Sequence, residues 1–234
     1  MDSNKLKLND NKTEVMLISR NNASKTTVDV NGIPIDSKVN IKNLGVMFDN
    51  DMSMSSQVGA LCKSMNFQLR KISTIRNYIT EDVAKTLITS LILTKLDYCN
   101  SLLAGLPNEF IKRLQSVQNN AARLIFKKKK RDHITPLLKE LHWLPVKERI
   151  DYKICLLCYK SLNNMAPAYL SNILNRYKPT RALRSLDDST ILVIPRYKYV
   201  RSGQRSFSFY GPNVWNKLPK NIREANSSSL FKNN

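Results

Sequence analysis

Five consecutive cations, Lys127-Lys128-Lys129-Lys130-Arg131, are the densest concentration of one chemistry in this chain. They follow an apolar-periodic stretch, and cations at a helix C-terminus complement its dipole, but five in a row exceed what one helix end requires. Phosphate contact, a solvated run and a nuclear-import signal all fit such a cluster. A second basic group, Arg196, Lys198, Arg201 and Arg205, interleaves with Tyr197 and Tyr199. Single-stranded nucleic acid offers phosphates to Arg and Lys and base faces to Tyr, each stack contributing about 1–3 kcal/mol. In an extended strand, alternation puts both tyrosines on one face and Arg196 and Lys198 on the other, so core packing of the tyrosines is preferred.

Other constellations carry less. Cys155-Leu156-Leu157-Cys158 has zinc-ligand spacing, but no second close pair accompanies it, and Cys62, Cys99, His133 and His142 are scattered. Two small apolar residues inside a helix core are the simpler reading of the pair. Four cysteines in a chain read as intracellular also argue against disulfides. Asp187-Asp188 is an adjacent acidic pair with no third carboxylate placed to complete a two-metal clamp, so a solvated turn before a strand at Thr190–Ile194 is expected. His142 adjoins Trp143 and Leu144-Pro145, which reads as packing at a helix junction, and no nucleophile-elbow motif supports hydrolase chemistry. There is no GxGxxG or GxxxxGK[ST] loop.

The charge surrounding these residues is lopsided. In 234 residues there are 38 Lys+Arg against 18 Asp+Glu, a net charge of +20, which sets the chain apart from an ordinary neutral enzyme domain. Residues 1–60 carry 7 basic and 7 acidic residues, residues 61–135 carry 14 and 5, and residues 136–234 carry 17 and 6, so the whole excess follows residue 60. Such a surface calls for a polyanion, nucleic acid first, with an acidic membrane surface or acidic protein as competitors. A hydrophobic content of 42% suffices for a packed core. No apolar run approaches the roughly 18 residues of a membrane span, and no signal-peptide core follows Met1, so an intracellular location is expected.

The elements that would position these groups read as follows. Thr13–Ser19 and Thr27–Val30 read as short strands from a period of two, with turns at Arg20–Ser24 and at Asn31-Gly32 followed by Pro34, and a third strand is expected at Ile41–Asp49. Asp51-Met52-Ser53 supplies an N-cap for a helix to about Tyr78, Thr80-Glu81-Asp82 opens a second to about Leu96, and Pro107 opens a third. That third helix sets Phe110, Leu114, Val117, Ala121 and Ile125 against Lys112, Arg113 and Arg123. Helical pieces follow at Thr135–Leu141, Val146–Leu162 and Pro167–Leu174. From Tyr177 onward the Arg/Tyr/Ser texture with Pro195, Pro212 and Pro219 reads as extended strands and loops around an aromatic cluster of Phe207, Phe209, Tyr210 and Trp215.

Several strings together resemble a known family. Asn9–Met16, Lys42–Asp49, Lys95–Pro107, Leu114–Arg123, Leu141–Val146, Arg149–Ile154 and Phe209–Pro219 resemble, in order and spacing, the back half of reverse transcriptases from non-LTR, LINE-type retrotransposons, especially jockey-like and chicken-repeat-like groups. The resemblance covers nearly the whole chain. It implies a partial right-hand polymerase fold, mainly α with a small antiparallel β portion: a palm remnant over 1–50, a helical thumb over 51–131 and a C-terminal helical and short-strand region over 132–234. Leu44, Gly45 and Val46 would lie in the primer-grip strand pair, and Lys12 would match a lysine near the incoming triphosphate.

What such a polymerase needs, and this sequence does not contain, is the pair of palm motifs whose carboxylates hold two magnesium ions about 3.5–4 Å apart. The family places them before Asn9, and only Met1–Leu8 precede it here; relatives usually continue beyond Asn234, so a fragment or degenerate copy is expected. No catalytic residue, metal site or cofactor is therefore expected in this chain. The resemblance implies a non-catalytic, sequence-independent grip on RNA and DNA, as hybrid or duplex, mostly through the backbone, with Lys112, Arg113, Arg123, the 127–131 run, Arg196, Lys198, Arg201 and Arg205 as the contacting cations. The competing expectation is a helical protein-interaction or self-association module whose apolar faces would meet the missing palm and fingers or another protein. No membrane partner is expected, and the basic run makes a nuclear location plausible.

Overall fold

Leu44-Gly45 divides what reads as one long strand. Both residues have positive φ, +46° and +83°, so the chain reverses there in a two-residue turn, and β3 (Asn40–Asn43) pairs antiparallel with β4 (Val46–Asp49). Gly45 adopts this conformation freely, whereas Leu44 does so at a steric cost. A second hairpin joins β1 (Thr27–Val30) to β2 (Ile33–Asp36) around Gly32, whose N–H donates to Asp29 Oδ1 at 2.8 Å. Thr13–Ser19 is not a strand: it meets the sheet at a single parallel bridge, Val15 to Ser37. The computed structural model describes residues 9, 12–19, 26–30, 32–177, 190–197 and 203–233; the turn expected at Arg20–Ser24 and the Asp187-Asp188 pair lie outside these. The protein is mixed α and β, mostly helical, with these two small antiparallel sheets.

The chain forms two compact units, residues 1–64 and 65–234, the division falling inside helix α1 (Ser55–Ile75). In the first unit Asp49 organises the passage from β4 into α1. Its Oδ1 accepts from Met54 N–H at 3.1 Å and its Oδ2 from the Ser53 hydroxyl at 2.9 Å. Gln57, one turn into α1, returns its side-chain oxygen to Met47 N–H at 2.9 Å. Val46, Met54, Val58 and Cys62 are buried around these contacts.

The second unit is helical. Thr80 caps α2 (Glu81–Ile88), its hydroxyl accepting from Val83 N–H. The helix continues through a π-helical turn (Thr89–Leu93) into α3 (Thr94–Asp97). Hydroxyls of Ser90 and Thr94 bond back to the carbonyls of Thr86 and Ser90, a side-chain competition that locally loosens the α ladder. A 3₁₀ turn (Asn100–Leu103) leads to α4 (Asn108–Ile125), then α5 (Ile134–Glu140), α6 (Val146–Leu162) and α7 (Ala168–Ser171). The expected strand at Thr190–Ile194 is reduced to one bridge, Leu192 to Arg176.

The described part of the C-terminal region after residue 203 is helical rather than extended: α8 (Phe207–Trp215), α9 (Lys220–Arg223) and α10 (Ser228–Asn233). Pro212 lies inside α8, and Gly211 allows α8 to approach α6 so closely that an added Cβ would stand 3.0 Å from Cys158 Sγ. Trp215, 1% exposed, and Tyr159 both stack on the buried Phe231, at ring-centroid distances of 5.9 and 4.5 Å. The Trp215 indole N–H donates to the Thr190 carbonyl, and Asn216 makes a paired amide contact with the Leu192 backbone, 2.9 Å each way.

Polar fasteners join these helices, and most come from the strings that carry the family resemblance. Gln118 donates to the Leu144 carbonyl while Gln115 accepts from Val146 N–H, so α4 holds both the Leu144-Pro145 turn and the start of α6. Arg149 grips Asp97 with two hydrogen bonds. The Tyr210 hydroxyl donates to Asp151 at 2.7 Å, and burial first, then that bond, pushes the phenol pKa well up.

Candidate nucleic-acid interface

Helix α4 is the scaffold of the candidate site. Its buried residues Leu114, Val117, Gln118, Ala121, Ala122 and Ile125 recur at helical spacing, which leaves Lys112 and Arg113 exposed on the opposite side. With a rise of about 1.5 Å per residue, Arg113 and Lys127 stand roughly 20 Å apart along the axis.

The way α4 ends decides what the basic run is free to do. Lys127 takes a left-handed conformation, φ +51°, and the N–H groups of Lys128 and Lys127 donate to the carbonyls of Arg123 and Leu124. This is a Schellman cap with lysine where glycine is usual. Just past the end of α1, the buried Arg76 adds its guanidinium: Nε donates to Leu124 O at 2.9 Å, Nη2 to Ile125 O, and Nη1 to Ile79 O at 3.0 Å. Arg76 therefore supplies the positive charge that α4's C-terminus attracts. The following turn is closed by Asp132, whose carboxylate accepts from Lys129 N–H at 2.7 Å. Lys127, Lys128, Lys129, Lys130 and Arg131 are all exposed, and among the described residues none of their side chains has an ion-pair partner.

The remaining cations divide by partner. Arg123 turns inward: Nη2 donates to the Asp132 carbonyl at 3.2 Å, and Nε is buried without a described partner. Arg205 donates from Nε to Ala104 O and from Nη2 to Leu102 O, so it fastens α8's approach to the 3₁₀ turn. Arg196 is exposed in the extended 190–197 segment, while Lys198, Arg201 and Tyr199 lie outside the described residues. Tyr197 packs edge-on against Phe209 at 4.7 Å, and its hydroxyl accepts from Gln204. Of the primer-grip-like residues, Leu44 and Gly45 form the hairpin turn and Val46 is buried at the start of β4.

The cysteine and histidine candidates have local explanations. Cys155 and Cys158 are buried in α6, and burial pushes the Cys155 thiol up to about 12 and that of Cys158 higher still, so both are protonated at neutral pH. His142 has φ +53° and forms the Schellman cap of α5, with Trp143 N–H donating to Leu138 O at 2.8 Å. Trp143 itself packs on the small cluster of Ala122, Leu137 and Leu138.

A two-metal centre needs several convergent carboxylates, and among the described residues no three His, Cys, Asp or Glu stand together. In the first unit Asp29, Asp36 and Asp49 are each engaged by neighbours, Gly32 N–H, Thr27 and Ser53 with Met54. Among the described residues no helix is long and apolar enough to cross a membrane.

Reading the sequence misses Arg76, because its position in a cationic helix pattern looks like any exposed arginine. Its only local signal is placement where the first helix pattern runs out, at Ile75-Arg76-Asn77-Tyr78. Comparison of the chain with family models, curated proteins and solved structures returned no match.

Proposed function

We propose that this chain is a nucleic-acid-gripping, non-catalytic part of a LINE-type reverse transcriptase, binding RNA and DNA duplex or hybrid through phosphates rather than base edges. The observation that carries the reading is the freedom of Lys127–Arg131. With α4's terminal carbonyls satisfied by the Schellman cap and Arg76, five exposed cations remain without a side-chain partner among the described residues. Five such charges gathered in the turn that follows α4 suit an anionic backbone, where each neutralised phosphate of a duplex contributes about −0.9 to the salt slope. The family resemblance supplies the polymerase context, in which magnesium belongs to the missing carboxylates. The same run would also serve as a nuclear-import signal.

The test is affinity for mixed-sequence duplex and RNA–DNA hybrid across salt concentrations. A steep loss between low and moderate salt is expected, and replacing Lys127–Arg131 by glutamines should remove most of the slope; a flat salt profile sinks the reading. Primer extension by the chain should be blank.

A second reading, a protein-interaction or self-association module, is favoured by the first unit. Leu17, Ile18, Val28, Ile33, Val39 and Leu44 are all exposed there, Leu44 by 83%. Self-association that persists in size-exclusion chromatography at high salt would support this reading.

A further inference from the structure

We propose that the groove between the second half of α1 and α4 is a binding site for a single phosphodiester strand, an inference that rests on the nucleic-acid reading above and adds a second, distinct contact to it. The groove is a shallow, open depression of about 340 Å³ lined by Asn66, Leu69, Arg70 and Ser73 of α1 with Asn120 and Leu124 of α4. An open depression of this kind can be crossed by a short stretch of an extended strand without burying it.

Its chemistry is specific. Asn66, Arg70 and Ser73 follow one another at i, i+4 and i+7, which stacks them on one face of α1, and Asn120 faces them from α4. Among the described residues the side chains of Asn66, Arg70 and Asn120 have no hydrogen-bonded or ion-paired partner, although they converge on one concavity. None of the lining residues is acidic. A guanidinium fork takes a phosphate bidentately, while the two amides offer both donors and acceptors to sugar and base edges. Leu69 and Leu124 add apolar surface for a sugar or a base face. A duplex presents a convex cylinder that reaches such a concavity only with its phosphates, whereas a single strand can lay both phosphate and base into it.

The test uses the full chain and a short labelled single strand of mixed sequence, followed by fluorescence anisotropy across salt concentrations, with a duplex of the same sequence in parallel. Arg70 and Asn120 are exposed, so R70A combined with N120A leaves the core intact, which circular dichroism would verify. The double variant should bind the single strand roughly tenfold more weakly, with its salt slope reduced by about 0.7, while duplex affinity stays within about twofold. R70K, which keeps the charge without the fork, should recover the slope but not the full affinity. Backbone amide shifts of Asn66 and Asn120 should move when the strand is titrated into the parent chain. Single-strand affinity unchanged in the double variant, or an equal loss for duplex, overturns the groove while leaving the role of Lys127–Arg131 standing. Failure of the parent chain to bind any nucleic acid overturns both.

Discussion

Residues 1–64 and 65–234 solve the problem of stability differently. The first unit carries 8 Lys+Arg against 7 Asp+Glu and consists of two hairpins and the start of α1, with few buried apolar residues and its junction held by Asp49 and Gln57. The second carries 30 against 11 and buries a helical core in which polar side chains reach across long sequence distances to satisfy backbone groups. Two-stranded hairpins are marginal on their own, so local hydrogen bonds matter most in the first unit. In the second, apolar burial dominates, and the large excess of positive charge is tolerated because the cations that touch the core are matched to carbonyls or carboxylates. The lesson is that charge excess and free charge differ: the side chains of Arg76, Arg123, Arg149 and Arg205 are tied to the protein, whereas those of Lys127–Arg131 have no partner among the described residues and only the backbone of the run is structural.

The sharpest way to break this contrast is to remove Arg76. Arg76→Ala leaves the carbonyls of Ile79, Leu124 and Ile125 without their guanidinium, and should destabilise the second unit by roughly 3 kcal/mol in urea denaturation. Amide exchange within the hairpins of the first unit should be unchanged; an equal loss in both would contradict the division.

Asp49→Asn probes the first unit in the same way, with a smaller effect of about 1–2 kcal/mol, because one carboxylate oxygen is replaced by a group that cannot accept. The pH dependence has a definite sign. Burial alone would raise the Asp49 pKa, but hydrogen bonds from Ser53 and Met54 outweigh it and hold the carboxyl below its ordinary value of 3.8. The stabilisation is therefore present above that ordinary value and lost as pH falls through the lower folded one, so hairpin signals should weaken below about pH 4 in the parent chain. Asp49→Asn should abolish that dependence; an unchanged acid transition would rule Asp49 out as its source.

The smallest effect is a gain. Lys127→Gly relieves the left-handed strain at the end of α4 and should stabilise the second unit by about 0.5–1 kcal/mol in thermal or urea unfolding, while lowering the salt slope of duplex binding by roughly one phosphate's worth. Opposite signs in stability and in binding would separate the structural from the electrostatic part of this residue.

Much of the helical unit was legible. Val146–Leu162 coincides with the apolar spacing that predicts it, and Pro107 marks the start of α4 from its N-cap, one residue before the first helical position. The Leu44-Gly45 turn was not, because apolar residues flank it on both sides and leucine rarely takes the first position of such a turn. Helix α8 was missed because Gly211-Pro212 among aromatics reads as a loop, and its helicity depends on close packing against Cys158 of α6. The π turn at Thr89–Leu93 leaves no periodic signature, only the Ser90 and Thr94 hydroxyls that accompany it. Of the candidate cations, position on a helix face foretold the exposure of Lys112 and Arg113, but nothing local distinguishes Arg123 from Arg113.

What the sequence determined by itself was the location of the charge after residue 60, the register of the main helices and the density of the 127–131 run, because these follow from composition and short-range periodicity. Which cations remain available was decided only by the tertiary structure. Arg76 reaches carbonyls 48 and 49 residues away, and Arg205 carbonyls more than 100 residues away. A cation is free for a phosphate only when no such carbonyl comes within hydrogen-bonding distance, and that is settled by chain packing across separations that sequence periodicity does not encode.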